Sequence, residues 1–181
     1  VGAAIAGGKA DEILFGMVQG AMVGVLNHLQ TAKLLDSKIV ILEDSEGAGN
    51  KGHMAIAGGN NKKGWTYVSK YALTDAEGNI DGGLVSGGKS DQLINSYKTF
   101  KDLLAANPEY DKYISFSTTY ENSQRAVSVT YTVALQSYHF MFANCGHAVA
   151  AGLNAAGIYS GNSIVPNSRF NQIKKYYNLK Y

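Results

Sequence analysis

The sequence predicts an α+β domain in which a small antiparallel sheet packs on a central helix that bears a cysteine at its N-terminus. Residues 65–70 alternate, with every second side chain on one face, as in a strand. A turn segment over 58–64, rich in Asn and Lys, joins this strand to the one before it. Residues 145–156 are mostly small or apolar, between the N-cap residue Asn144 and the stop residue Gly157, and predict a packed helix.

The chain length of 181 residues suits one domain of ordinary size with a short appendage. We predict a glycine-rich N-terminal linker and helix over 1–36, followed by the main domain over 37–181. The apolar segment 13–29 includes Gln19 and His28, so it predicts a packing helix and not a stable membrane span. Early charged residues also argue against a signal peptide.

The charge balance excludes one class of partner. The net charge is +2, and the charged side chains are dispersed without a basic stripe, so we expect no nucleic-acid partner. A single cysteine excludes an internal disulfide, but it leaves the redox compartment open.

The remaining elements follow from local patterns. Residues 38–42 form a short apolar strand, and a polar loop over 44–52 leads to His53 at the start of a strand over 54–57. Residues 121–137 fit either a strand or a helix, because β-branched residues alternate there. The other predicted elements are a loop over 74–89, a helix over 91–106, a strand over 113–119, an extended segment over 138–142 and a helix over 168–177. In the last helix, Arg169, Lys174 and Lys175 are assigned to a solvated face.

Three segments resemble cofactor-binding motifs, but each lacks a required feature. Residues 83–90 match the sequence pattern of a phosphate-binding loop, but no apolar strand precedes them. The acidic segment 75–83 lacks the ligand positions of a calcium loop. His139, Cys145 and His147 lack the spacing of a zinc site. The sequence therefore predicts neither a metal nor an organic cofactor.

Cys145 and His53 are the candidate catalytic pair. Cys145 is the only cysteine, and unpaired N–H groups and the helix dipole at its position stabilise a thiolate. His53 opens a strand from which its imidazole is expected to face the cysteine and act as its base.

Two short motifs carry a resemblance to a known family. Asn-Cys-Gly-His-Ala-Val at 144–149 resembles the Asn-Cys-Glu-His-Phe-Val box of lecithin:retinol acyltransferase-like proteins, with Gly in place of Glu. His-Met-Ala-Ile at 53–56 is similar to their His-Trp-Ala-Ile strand. This resemblance, over roughly residues 50–160, implies a circularly permuted papain-like fold, related to NlpC-type enzymes, in which the histidine precedes the cysteine. It also favours the helix over 121–137 and a catalytic role for the domain over 37–181.

The other site residues are assigned around this pair. Ser69, on the strand beside His53, is the best candidate to orient the imidazole, since the second histidine that such relatives often use is absent. The Cys145 N–H is the expected oxyanion donor, with Tyr67 as a second donor. Trp65 and Asn144 complete the predicted oxyanion and substrate-binding set.

The N-terminal tract carries a second resemblance. Gly7-Gly8-Lys9, followed by glycines at 16, 20 and 24, is similar to the tract that joins the Rhs-repeat shell of bacterial polymorphic toxins to a C-terminal toxin. This implies an effector that is secreted or delivered into a target cell and is held in check by a cognate immunity protein.

The expected function is thus that of a thiol-dependent hydrolase of peptide or peptidoglycan amides, acting as a toxin. Two alternatives stay open: a lipid acyltransferase or phospholipase of the same fold, and a non-catalytic binding domain of a secreted shell protein. The sequence does not decide between amide and lipid ester substrates, and it leaves the third triad member, the oligomeric state and the compartment of action open.

Overall fold

A computed structural model describes residues 35–74 and 90–179 of the chain. Nearly all of the predicted N-terminal linker, most of the predicted loop over 74–89 and all but Ser90 of the segment like a phosphate loop lie outside these residues. The described part has the α+β class that the sequence predicts. No helix within it is long and apolar enough to cross a membrane.

One antiparallel sheet of five strands organises the described residues, in the order β4-β3-β2-β1-β5. The strands are β1 Ser37–Asp44, β2 His53–Asn60, β3 Gly64–Ala72, β4 Ser90–Tyr97 and β5 Lys112–Thr118. The helices are α1 Phe100–Ala106, α2 Tyr120–Ala134, α3 Cys145–Ala155 and α4 Pro166–Tyr176.

Two local predictions are wrong. The predicted helix over 91–106 is divided, because residues 90–97 pair with β3 as an edge strand. Helix α1 begins only after Thr99, whose side chain and that of Asp102 form a reciprocal capping box. The segment over 138–142 is a turn closed by a bridge between His139 and Ala143, and not an extended strand. The ambiguous stretch over 121–137 forms a helix, α2, as far as Ala134.

The sheet has two differently covered faces. On one, which we call the helical face, Met54, Ile56 and Val68 pack against apolar residues of α2, α3 and α4. On the other, the tyrosine face, Ala55 and Tyr67 form a core with residues of α1 and its flanks. Successive residues of a strand point to opposite faces, so these two clusters alternate along β2 and β3.

The loop that precedes β2 is fixed by the start of α4. Ala48, Gly49 and Asn50 make a left-handed turn, with φ values of 50°, 64° and 65°. The Asn167 side-chain amide donates to the carbonyls of Ser45 at 2.9 Å and Asn50 at 3.3 Å. Helix α4 thereby holds the segment that delivers His53 to the sheet.

Candidate functional site

The start of α3 is tightly fixed by Asn144. Its side-chain oxygen accepts from the His147 N–H at 3.1 Å, as an N-cap does. Its amide nitrogen donates to the carbonyls of Phe140 at 2.6 Å and Ile164 at 2.7 Å. Asn144 therefore acts on the backbone around Cys145, and its side-chain hydrogen-bonding groups are already engaged.

The Cys145 sulfur is buried among hydrogen-bond donors. Only 3% of the residue is exposed. Burial raises the pKa of the Cys145 thiol, whereas the backbone N–H groups of Met54, Gly146 and Cys145 itself, together with Lys70, act in the opposite direction. The donors favour the thiolate, and removal from water disfavours it.

Lys70 brings a buried positive charge to this region. Its Nζ donates to the carbonyls of Val133 at 3.2 Å, Gln136 at 2.8 Å and Ser137 at 3.1 Å, around the end of α2. Burial lowers the pKa of Lys70 to about 8, and the negative charge of a Cys145 thiolate opposes that shift. The ammonium group thus lies within electrostatic range of the sulfur.

Arg169 is the second buried cation near Cys145. Its Nη1 donates to the carbonyls of Ser160 at 3.1 Å and Gly161 at 2.9 Å, while its Nε has no hydrogen-bond partner. The sequence assigned Arg169 to a solvated face, and this was wrong, since only 4% of the residue is exposed. Burial lowers the pKa of Arg169, and Cys145 again opposes the shift.

His53 lies on the tyrosine face, in contact with Ser69. Its Nε2 is 2.7 Å from the Ser69 Oγ, and its ring stacks on Tyr71 with the centroids 4.4 Å apart. Burial lowers the pKa of His53 to about 4, although Asp44, its cross-strand partner, raises it. The serine expected to orient the imidazole is therefore within hydrogen-bonding distance of it.

The His53 side chain lies on the face of the sheet opposite to the one that α3 covers. Helix α3 packs through Val149 and Leu153 on the helical face, which carries Met54. His53 is the residue before Met54, so its side chain points to the opposite face, where it meets Ser69 and Tyr71. The backbone N–H of Met54 acts on the Cys145 sulfur, so the sulfur lies near the start of β2. The pairing of the imidazole with the sulfur stays a prediction.

Tyr67 and Trp65 also lie away from the sulfur. The Tyr67 hydroxyl is 2.7 Å from that of Tyr110 in the core of the tyrosine face. Trp65 pairs with Gly59 at the turn end of the hairpin and donates to Asn61 at 2.7 Å. Cys145 contacts the other end of β2, so neither aromatic residue lines the site around it in this conformation.

A cavity of about 380 Å³ opens at the end of β2 and β3. His53 and Tyr71 form part of its wall, and Lys70 and Tyr138 form another part. Burial raises the pKa of Tyr138 to about 12, and the charge of Cys145 adds to this rise. The cavity wall therefore includes the imidazole together with Lys70 and Tyr138, whose pKa values respond to the charge of Cys145, but Cys145 itself does not line the cavity.

Sequence reasoning missed Lys70, Arg169 and Tyr138. Lys70 had a usable signal, because it follows Ser69 in an alternating strand and must share a face with the apolar Val68. Arg169 and Tyr138 had none, since their positions depend on how α4 and the turn before α3 pack. Among the described residues, no group of three or more His, Cys, Asp or Glu side chains is placed to hold a metal ion.

Comparison of the chain with family models, curated proteins and solved structures finds no match. The permuted papain-like fold and the toxin context therefore stay predictions.

Proposed function

We propose that the domain is a thiol-dependent hydrolase of peptide or peptidoglycan amides, with Cys145 as its nucleophile. The observation that carries the proposal is the set of N–H groups from Met54, Cys145 and Gly146 around the sulfur, with Lys70 in electrostatic range. Donors that favour a thiolate also favour the oxyanion that forms when the thiolate adds to a carbonyl carbon. An ordinary buried cysteine in an apolar core needs no such surroundings.

The described conformation is a closed form of this enzyme. Two movements open it: Tyr138 leaves the cavity wall, and the His53 ring leaves Ser69 and turns toward the cysteine. Once out of its buried position, the imidazole takes up a proton and acts as the acid that protonates the leaving amine, and water later hydrolyses the thioester. The turn over 138–143 is a suitable moving part, because Phe142 at its tip is 73% exposed.

One observation favours a second candidate, a non-catalytic binding domain. Cys145 is buried and the His53 imidazole lies on the other face of the sheet. A binding domain requires neither an accessible thiol nor a base, and its ligand would occupy the cavity beside His53. The reactivity of the thiol separates the two candidates.

A hydrolysis assay tests the enzyme and its substrate class together. Purified peptidoglycan, an unfolded peptide mixture and phospholipid vesicles are each incubated with wild type, Cys145→Ala and the control Ser128→Ala, at an exposed position of α2. We expect wild type and the control to release peptide or muropeptide fragments, and Cys145→Ala to release none while keeping its melting transition. Release of fatty acid alone would instead support the lipid acyltransferase or phospholipase. An absence of turnover on all three substrates, together with a thiol inert to iodoacetamide when folded, would support the binding domain.

The effector context belongs to the same proposal. An amidase delivered into a neighbouring bacterium would damage its wall or proteins, and the producing cell would require an immunity protein that covers the cleft. Expression in the bacterial cytoplasm and, separately, in the periplasm should slow growth in at least one compartment. Equal growth of cells with wild type and Cys145→Ala, at matched protein levels in both compartments, would contradict the toxin role.

A further inference from the structure

Two buried cations lie beside the first turn of α3 without a carboxylate partner. Lys70 comes from β3 and is 1% exposed, and Arg169 comes from α4 and is 4% exposed. Within residues 35–74 and 90–179, neither side chain forms an ion pair with Asp or Glu. A buried cation is costly unless an opposite charge compensates it, so a nearby anion would be stabilised by both.

The unpaired donor of Arg169 lies beside the start of α3. Its Nε is buried and has no hydrogen-bond partner. A methyl group added to Gly146, the second residue of the helix, would lie 3.5 Å from that nitrogen. The same turn presents the N–H groups that the helix itself cannot pair. Two independent features, the helix start and the unpaired arginine donor, thus meet at one place.

The neighbouring His147 responds to the same two charges. Burial lowers the pKa of His147, and Arg169 and Lys70 each lower it further. The titratable side chains whose charges act around this turn, besides Cys145, come from several elements: Lys70 from β3, Arg169 from α4, His147 from α3, Tyr138 from the preceding turn, and Tyr159, which acts on Arg169. None of them is a carboxylic acid, so the first turn of α3 is an electropositive region around Cys145.

We propose that Lys70 and Arg169 are positioning residues that hold the negative charge of Cys145 as a thiolate when the site opens. The nucleophile then ionises without help from His53, which accounts for a base that lies on the other face of the sheet. This inference rests on the proposed function in one respect, namely that the thiolate is the group that attacks the substrate. The thiolate forms a bond to the carbonyl carbon, the C–N bond breaks, and the leaving nitrogen takes a proton from His53 or water. Water then cleaves the thioester to a carboxylic acid and regenerates the thiolate, and the proton released returns to the group that protonated the amine, His53 or water.

The charge at Cys145 is measured by the ultraviolet absorbance of its thiolate during a pH titration, with Cys145→Ala as the blank. We expect the midpoint to rise by about one pH unit or more in Lys70→Met and in Arg169→Met. Arg169→Lys keeps the charge, so its shift should be smaller. Unchanged midpoints in both methionine variants, with wild-type circular dichroism, would overturn the proposal.

A second measurement needs no variant of either cation. The titration of His147, followed by nuclear magnetic resonance in the wild type, should have its midpoint below the ordinary histidine value of 6.5. A midpoint at or above that value would overturn the proposal even if the variants do not fold. Shifted thiolate titrations without hydrolysis would contradict the proposed function and leave this inference intact. Hydrolysis through Cys145 with unshifted titrations would support the proposed function and contradict this inference.

Discussion

The burial of His53 predicts a specific loss of stability in mild acid. Its folded-state pKa is about 4, against an ordinary value of 6.5. Below pH 6.5 the His53 imidazole therefore binds a proton in the unfolded chain but not in the folded chain, and the free energy of unfolding falls until the pH reaches about 4. Between about pH 7.5 and pH 5 this difference is worth about 2 kcal/mol.

The substitution His53→Gln should remove this dependence. Urea unfolding is measured for wild type and variant at both pH values, and His139→Gln serves as the control for the loss of a histidine. We expect the stability of wild type to fall between the two pH values by about 2 kcal/mol more than that of His53→Gln. The other titrating groups are common to both proteins and cancel in this comparison. If both proteins show the same change with pH, the reasoning about the buried imidazole is refuted.

Three further predictions concern stability. Burial raises the pKa of Glu43 to about 7 from 4.5. The variant Glu43→Gln should therefore be more stable than wild type by up to about 3 kcal/mol at pH 8, and this difference should vanish near pH 4.5. An equal difference in the free energy of urea unfolding at both pH values would contradict this. Asn144→Ala should cost about 2–3 kcal/mol, measured by urea unfolding, because the α3 cap is lost and two carbonyls lose their donor; a cost below about 0.5 kcal/mol would exclude that role. Gly58→Ala should lower the melting temperature, since its methyl group would lie 2.5 Å from the Ser123 carbonyl oxygen where β2 crosses α2; an unchanged melting temperature would show that the two elements move apart freely.

Local chemistry in the sequence was sufficient for most elements. Asn144 before a run of small residues predicts α3, and the side-chain cap to His147 is present. The alternation over 65–70 predicts β3, because successive side chains of a strand point to opposite faces of the sheet. The edge strand β4 was missed because its pairing with β3 is a tertiary contact, and its own residues are compatible with a helix.

The candidate site was less accessible to sequence reasoning. The nearness of His53 and Ser69 follows from two adjacent strands, which the hairpin turn between them brings into register. The relation of Cys145 to His53 depends instead on which face of the sheet α3 covers. Packing between elements that are distant in the sequence determines which face α3 covers, and a short motif carries no information about that packing. The same limit applies to Arg169, whose burial depends on α4 lying against α3.

The most direct test of the account is whether Cys145 forms a covalent acyl intermediate. The folded protein is incubated with a peptide thioester probe, and the modified residue is located by mass spectrometry after digestion. A nucleophilic Cys145 should carry an acyl group in wild type, and no residue of Cys145→Ala should carry an adduct. An unmodified Cys145, or an acyl group on Ser69 beside the His53 imidazole, would contradict this role.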